Sequence, residues 1–245
     1  NILRLFVWNI TLKKVSLITC PTLETKNFIY NLNLINKNKL HLLYDPVISS
    51  KQIKIKQKEN FNDISINNFF LSVGRLTKQK NFIFLVKTFI IFNKDYKNKL
   101  VIAGEGEDRP KIEKLIKDSN QQNNIFLIGY KENIFSYFEK CKCFILSSLW
   151  EDPGFVIVEA GYMNSPIISS DCKNGPIEFL DNGNGGILFK SNDEKSLLEG
   201  LKKFENLDEK QIKKFTISAK KSSRNFSIFS HYKKLSFILE KKNEQ

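Results

Sequence analysis

The chain has 245 residues, 41% of them hydrophobic and 12% aromatic, and its 39 Lys and Arg against 26 Asp and Glu leave a formal net charge of +13. That apolar content supports a packed core and excludes disorder over most of the length; the size allows one large domain, or one domain with part of another. The positive excess raises attraction to anions, a class that includes nucleic acid, anionic lipid and phosphorylated ligands.

Four cysteines, Cys20, Cys141, Cys143 and Cys172, are too few and too scattered for a disulfide framework, which favours a reducing cytoplasm. The C-x-C at Cys141 and Cys143 lacks a second ligand pair. His41 and His231 have no carboxylate or cysteine spacing around them, so neither a zinc site nor a Ser-His-Asp arrangement is expected. No run approaches the ~20 apolar residues of a membrane span, and no charged and then apolar leader opens the chain. The single methionine is Met163, so the chain is expected to start inside a longer protein.

Residues 1–48 hold two strand-like runs, Lys14 to Thr19 and Leu40 to Tyr44, around a mixed segment suited to a short helix. They are expected to be the remnant of an amino-terminal α/β domain, ended by Asp45-Pro46, since the residue before proline is pushed away from helix. Residues 49–68 turn to Lys, Gln and Asn, with Ile53 and Ile55 as an isolated apolar pair, and predict a linker or exposed edge.

From Phe69 the pattern becomes regular. Strand-length apolar runs occur at Phe69 to Val73, Leu100 to Ala103, Ile125 to Ile128, Phe144 to Leu146, Pro166 to Ser169 and Gly186 to Phe189, as expected for strands buried on both faces. Between them Phe82, Leu85, Val86, Phe89 and Ile90 follow helical spacing, as do Ile112, Leu115 and Ile116 after Pro110. This alternation predicts a Rossmann-like parallel sheet with helices on both faces over residues 69–205. Residues 206–245 complete a set of three amphipathic helices that begins after Phe189. Their stripes, Leu197, Leu198, Leu201 and Phe204, then Ile212, Phe215 and Ala219, then Phe229, Tyr232, Leu235 and Leu239, read as core or interdomain packing.

Sheets of this kind bind ligands at the carboxyl ends of their strands, and the residues there carry chemistry. The first strand ends at Gly74, where a missing side chain lets a ligand approach the backbone. Arg75 then offers a planar fork for phosphate oxygens and Lys80 a point charge. The second strand ends in Ala103-Gly104-Glu105-Gly106, a tight turn suited to a pocket wall; Arg109 breaks the G-x-G-x-x-G pattern, so a dinucleotide fingerprint is not expected. The third ends at Ile128-Gly129-Tyr130, with a ring able to pack near a base. The fourth leads through Ser147 and Ser148 into a loop with Glu151 eight positions before Glu159, and Pro153 and Gly154 between them. That loop opens a helix whose first amides are free for phosphate, with Glu159 about two turns in. The fifth is followed by Asp171 and the turn Asn174-Gly175-Pro176-Ile177-Glu178. Two carboxylates beside an anion site suit a ligand bearing both hydroxyls and phosphates, as a sugar nucleotide does.

The stretches SVGRLTKQKN (Ser72 to Asn81), VIAGEGE (Val101 to Glu107), EDPGFVIVEA (Glu151 to Ala160) and SPIISSDCKNGPIEFL (Ser165 to Leu180), in this order and spacing, resemble the retaining GT-B glycosyltransferases of family 4. The similarity covers about residues 65 to 205, the nucleotide-sugar-binding carboxyl-terminal domain. It implies that Arg75 and Lys80 hold the donor diphosphate, that Glu151 faces the donor sugar, that Glu159 binds the ribose, and that the amides of Gly154, Phe155 and Val156 meet the distal phosphate. It thus implies Arg75, Lys80 and Glu151 as catalytic residues and no metal or other cofactor, while Gly74, Gly104 and Tyr130 are expected as further donor contacts from their places at the strand ends. Family members often have glycine directly after the first glutamate, whereas here Asp152-Pro153 intervene.

The expected activity is transfer of a sugar from a nucleoside diphosphate sugar to a saccharide or lipid-linked acceptor hydroxyl, as in cell-surface polysaccharide or glycolipid synthesis. An inactive nucleotide-binding fragment is the alternative. Nucleic acid is not an expected partner, since that would need lysines interleaved with exposed aromatics on one face, and here the aromatics fall on core positions. The expected location is cytoplasmic, with the net charge favouring peripheral docking on an anionic inner leaflet.

Overall fold

A computed structural model describes residues 2–57, 66 and 68–243. The first part comprises α1 (Ile2–Lys14), β1 (Ile18–Cys20), α2 (Leu23–Asn31), β2 (Leu40–Leu42) and α3 (Ser50–Gln57). The strands and helices then alternate: β3 (Phe69–Val73), α4 (Phe82–Phe92), β4 (Leu100–Ala103), α5 (Arg109–Asp118), β5 (Ile125–Leu127), α6 (Phe135–Lys140), β6 (Cys141–Leu146), α7 (Phe155–Tyr162), β7 (Ile167–Ser170), α8 (Pro176–Phe179) and β8 (Ile187–Phe189). Three helices close the chain, α9 (Glu194–Glu205), α10 (Glu209–Ser223) and α11 (Ile228–Asn243).

The apolar runs become strands because both their faces are covered. Successive side chains of a strand point to opposite faces, so Phe69 and Leu71 join one core with Phe138, Phe144, Ile157 and Ala219, from the side of α6, α7 and α10. Phe70 joins the other with Phe89, Ile112, Ile145 and Leu201, from the side of α4, α5 and α9. All pairings are parallel and the strand order is β5-β4-β3-β6-β7-β8. The chain therefore builds outward from β3 through β4 to β5, returns to the other side of β3 as β6, and continues to β8. The reversal lies between β3 and β6, the place where a crevice opens beyond the strands' carboxyl ends.

The amino-terminal part differs from its sequence-based reading in extent. Residues Lys14 to Ser16 are not strand: α1 runs to Lys14, and only Ile18–Cys20 pairs, with Leu40–Leu42, in a separate two-stranded parallel sheet. This unit meets the larger one through polar contacts. Glu178 accepts from Leu23 N at 2.8 Å and from Tyr44 Oη at 2.6 Å, Glu24 accepts from Asn174 N at 2.7 Å, and His231 Nδ1 lies 2.7 Å from Tyr44 O.

The reading of residues 49–68 as a linker is also corrected where the chain is described. Residues 50–57 form α3, whose Ile53 is buried against the core while Ile55 stays exposed. Residues 58–65 and 67 of that stretch lie outside the described residues. The third helix stripe is not core: Phe229, Tyr232 and Leu239 of α11 are exposed, at 74%, 69% and 44%, and Ile238 is buried instead. The helix is anchored by the Ile48–Ser227 bridge, the His231–Tyr44 contact and the buried Ile238.

Phe70 sits edge-on to Phe89, Phe92 and Phe204 at centroid separations of 5.7, 6.0 and 5.8 Å. Phe70→Ala is expected to cost ~3–5 kcal/mol, the range for emptying a large aromatic site. Urea unfolding checks this; a loss below about 1 kcal/mol would mean the site collapses freely and is no anchor of the sheet.

Candidate functional site

At the carboxyl edge of the sheet lies a cavity of about 950 Å³ lined from all five loops that follow β3 to β7. Gly74, Arg75 and Lys80 come from the first, Gly104 from the second, Tyr130 from the third, Glu151 and Gly154 from the fourth, with Phe155, Val156 and Glu159 on α7; Asn174 closes it from the fifth. The structure thus brings together all ten residues singled out in the sequence.

The loops approach closely because of glycine. A Cβ on Gly104, whose φ is +140°, would lie 1.9 Å from the carbonyl oxygen of Gly74, so the ends of β3 and β4 pack backbone on backbone. Gly154, at φ +90°, caps α7 without a side-chain hydrogen bond, and a Cβ there would press on the Glu151 stem at 3.3 Å. The first amides of α7 are therefore left for another acceptor. Asp152-Pro153 is a cis peptide.

Charge inside the cavity is unevenly placed. Lys80 Nζ donates to Glu151 Oε1 at 2.5 Å, and Ser148 Oγ donates to the same oxygen at 2.5 Å, with Glu151 only 4% exposed. Arg75 is exposed and forms no ion pair among the described residues. Tyr130 is a rim residue, 74% exposed. Glu159 is half-buried, the fifth residue of α7 and so a little over one turn in, nearer the helix start than the sequence spacing suggested. Burial pushes its carboxyl up to about 7, with the Lys56 ammonium pulling the other way.

Some residues of the cavity escaped the sequence reading. Lys131 and Glu132 follow Tyr130 and line the wall, and Lys56, at the end of α3, donates to the Glu132 carbonyl at 3.1 Å. Lys56 sat in a lysine-rich stretch where no single lysine stood out. Glu105 also lines the cavity and is paired with Arg109 at 2.8 Å, which gives the residue that broke the glycine pattern a structural use. Cys141 and Cys143 are buried free thiols, and among the described residues no group of three His, Cys, Asp or Glu is placed to hold a metal ion.

A parallel sheet with helices on both faces, and with cations, carboxylates and an uncapped helix start gathered at its point of reversal, defines a Rossmann-like α/β protein. The chain belongs to the family described as glycosyl transferases group 1, whose model matches residues 52–222. That match extends past both ends of the 65–205 stretch and takes in most of α3 and α10. An uncharacterized glycosyltransferase of Methanocaldococcus jannaschii is 38% identical over 129 residues, covering 52% of this chain and 31% of that one. The N-acetylgalactosamine-N,N'-diacetylbacillosaminyl-diphospho-undecaprenol 4-alpha-N-acetylgalactosaminyltransferase of Campylobacter jejuni is 32% identical over 193 residues, covering 78% and 51%. The chain thus spans about half or less of the length of these curated relatives. The crystal structure of Anabaena Alr3699/HepE in complex with UDP and glucose shares the fold, with a TM-score of 0.77 at 17% identity over 97% of this chain and 67% of that one.

The Glu159 carboxyl holds its proton more tightly in the folded chain than at its ordinary value of 4.5. Its contribution to stability is therefore lost as pH rises from about 4.5 to about 7. Glu159→Gln is expected to gain up to about 3 kcal/mol over the parent at pH 8 and nothing at pH 4. Urea titrations at both pH values test it, and an equal gain at both would show that Glu159 does not titrate in this window.

Proposed function

We propose that this chain carries the donor site of a retaining glycosyltransferase, which moves a sugar from a nucleoside diphosphate sugar to an acceptor hydroxyl. The observation that carries the reading is the convergence of Arg75, Lys80, the α7 start, Glu151 and Glu159 on one cavity. In this reading Arg75 and Lys80 hold the diphosphate, and the amides of Gly154, Phe155 and Val156 meet the distal phosphate. Glu159 accepts from the ribose hydroxyls and Glu151 from the sugar hydroxyls. Gly74 and Gly104 give the ligand access to backbone, and Tyr130 covers the base from the rim.

Negative charge builds on the departing diphosphate as the glycosidic bond breaks. Fixed cations and helix amides stabilise that charge without reorganising, so the site needs no metal ion in this reading. Attack comes from the face the diphosphate leaves, and a phosphate oxygen of the donor takes the acceptor proton. Retention follows, and neither glutamate serves as a covalent nucleophile.

The acceptor is a saccharide or a lipid-linked saccharide. The diphospho-undecaprenol in the name of the Campylobacter jejuni relative supports this class, and the reaction belongs with cell-surface polysaccharide or glycolipid synthesis. The enzyme works in the cytoplasm, docked on the anionic inner leaflet through its net charge of +13. No described helix is long and apolar enough to cross a membrane.

Thermal shift with a panel of nucleotide sugars tests the donor site, since a ligand that binds the folded state raises its stability by mass action. At least one nucleotide sugar is expected to raise Tm, and no response across UDP, GDP, ADP and TDP sugars would defeat the reading. Arg75→Ala is expected to weaken UDP binding about tenfold and to lower turnover by ~100-fold, the scale of losing one contact to a developing charge. Unchanged values would remove its role at the diphosphate. Sedimentation with phosphatidylglycerol vesicles should exceed that with phosphatidylcholine and fall with salt; equal binding to both would count against docking by charge.

A further inference from the structure

The two cavity acids are held in different ways, and the difference exposes a residue that neither the sequence pattern nor the donor-site reading assigns. We infer that Ser148 is a positioning residue for the donor sugar: with Lys80 it occupies Oε1 of Glu151 and leaves Oε2 to accept from the sugar hydroxyls. The inference rests on the donor-site reading.

Both donors meet one atom. Ser148 Oγ and Lys80 Nζ each lie 2.5 Å from Glu151 Oε1, and no described residue donates to Oε2. A carboxylate has about four acceptor positions, so half of this one is unused. Glu151 is 4% exposed yet lines the cavity. Acceptor positions on its second oxygen are thus open at the cavity, and the hydroxyls of a bound polyol are donors that can fill them.

Lysine alone would not select this geometry. An ammonium on a four-carbon stem is a mobile point charge, and it would follow the carboxylate through several rotations. Ser148 is fully buried, and its carbonyl accepts from Ser170 Oγ at 2.7 Å and Ser191 Oγ at 3.3 Å. Its hydroxyl is therefore carried on a backbone pinned from two sides. A second donor from a fixed point turns a charge contact into an orientation.

Calorimetry on the 245-residue chain with UDP, UDP-glucose and UDP-N-acetylglucosamine tests this. In Ser148→Ala the ratio of sugar-nucleotide affinity to UDP affinity is expected to fall about tenfold, as for a hydrogen bond to a charged group, with UDP affinity held within about twofold. Ser148→Thr, which keeps the hydroxyl, should restore the ratio. A cooperatively melting Ser148→Ala that keeps the parental ratio overturns the inference and leaves the donor site standing. Should that variant not fold, Ser148→Cys, a weak donor of similar size, is expected to lose at least about threefold of the ratio; an undiminished ratio there overturns the inference equally. Failure of the parent chain to bind any of the three nucleotides defeats the donor-site reading and this inference with it.

Discussion

The ion pair between Lys80 and Glu151 joins two loops 71 residues apart in the chain, and the rest of the site is built around it. Both partners are largely removed from water, with side-chain exposures of 13% and 4%. Charges in that position cost several kcal/mol each to desolvate, and their attraction offsets this only when geometry and further hydrogen bonds are good. Here the further bonds are present. Ser148 shares the Glu151 oxygen, Ser147 Oγ donates to Lys80 O at 2.8 Å, Leu149 N to Gln79 O at 2.8 Å, and Gln79 Nε2 to Trp150 O at 3.0 Å. The two loops are thus stitched through backbone as well as charge, and neither can move without the other.

The place of this pair follows from the topology. In the order β5-β4-β3-β6-β7-β8 the chain leaves β3 for one side and resumes at β6 on the other. The loops after these two strands turn away from each other, and a crevice is the geometric result. Lys80 and Glu151 sit in those two loops. Ser72 Oγ donates to Ile145 O at 2.7 Å and ties β3 to β6 beneath them. The pair therefore forms the floor of a cleft whose walls are the loops of β4 and β5 on one flank and of β7 on the other, which is why five loops that are distant in sequence reach one ligand-sized space.

Much of this was legible in the residues. Phe69 to Val73 and Leu100 to Ala103 could be read as strands to the residue, because each mostly apolar run is bounded sharply, by Asn68 and Gly74 and by Lys99 and Gly104. The cavity residues could be read as well, since glycine, arginine and carboxylate at successive strand ends have few structural uses in common. What could not be read was who pairs with whom. Nothing local marks Lys80 out from Lys78 two positions earlier, and only the crossover from β3 to β6 decides which of them meets Glu151. Helix α3 was hidden for a related reason: its lysines and glutamines have the composition of a linker, and Ile53 is its one buried residue. In α11 the difference runs the other way: Phe229, Tyr232 and Leu239 have the spacing of a buried face, yet among the described residues that face is exposed and Ile238 is buried instead.

The two glutamates that the spacing presents as equivalents are physically opposite. Glu151 has a fixed counter-charge within hydrogen-bond distance and is committed to one orientation. The Glu159 carboxyl accepts no hydrogen bond among the described residues, and burial pushes its pKa up to about 7. The charge of the cleft therefore changes near neutrality through Glu159. Below that point the Glu159 carboxyl is neutral and the cleft more positive, and above it the cleft gains a carboxylate. Burial sets this shift and the Lys56 ammonium opposes it by favouring the charged form, so α3, a helix outside the alternating sheet, bears on the charge of the cleft.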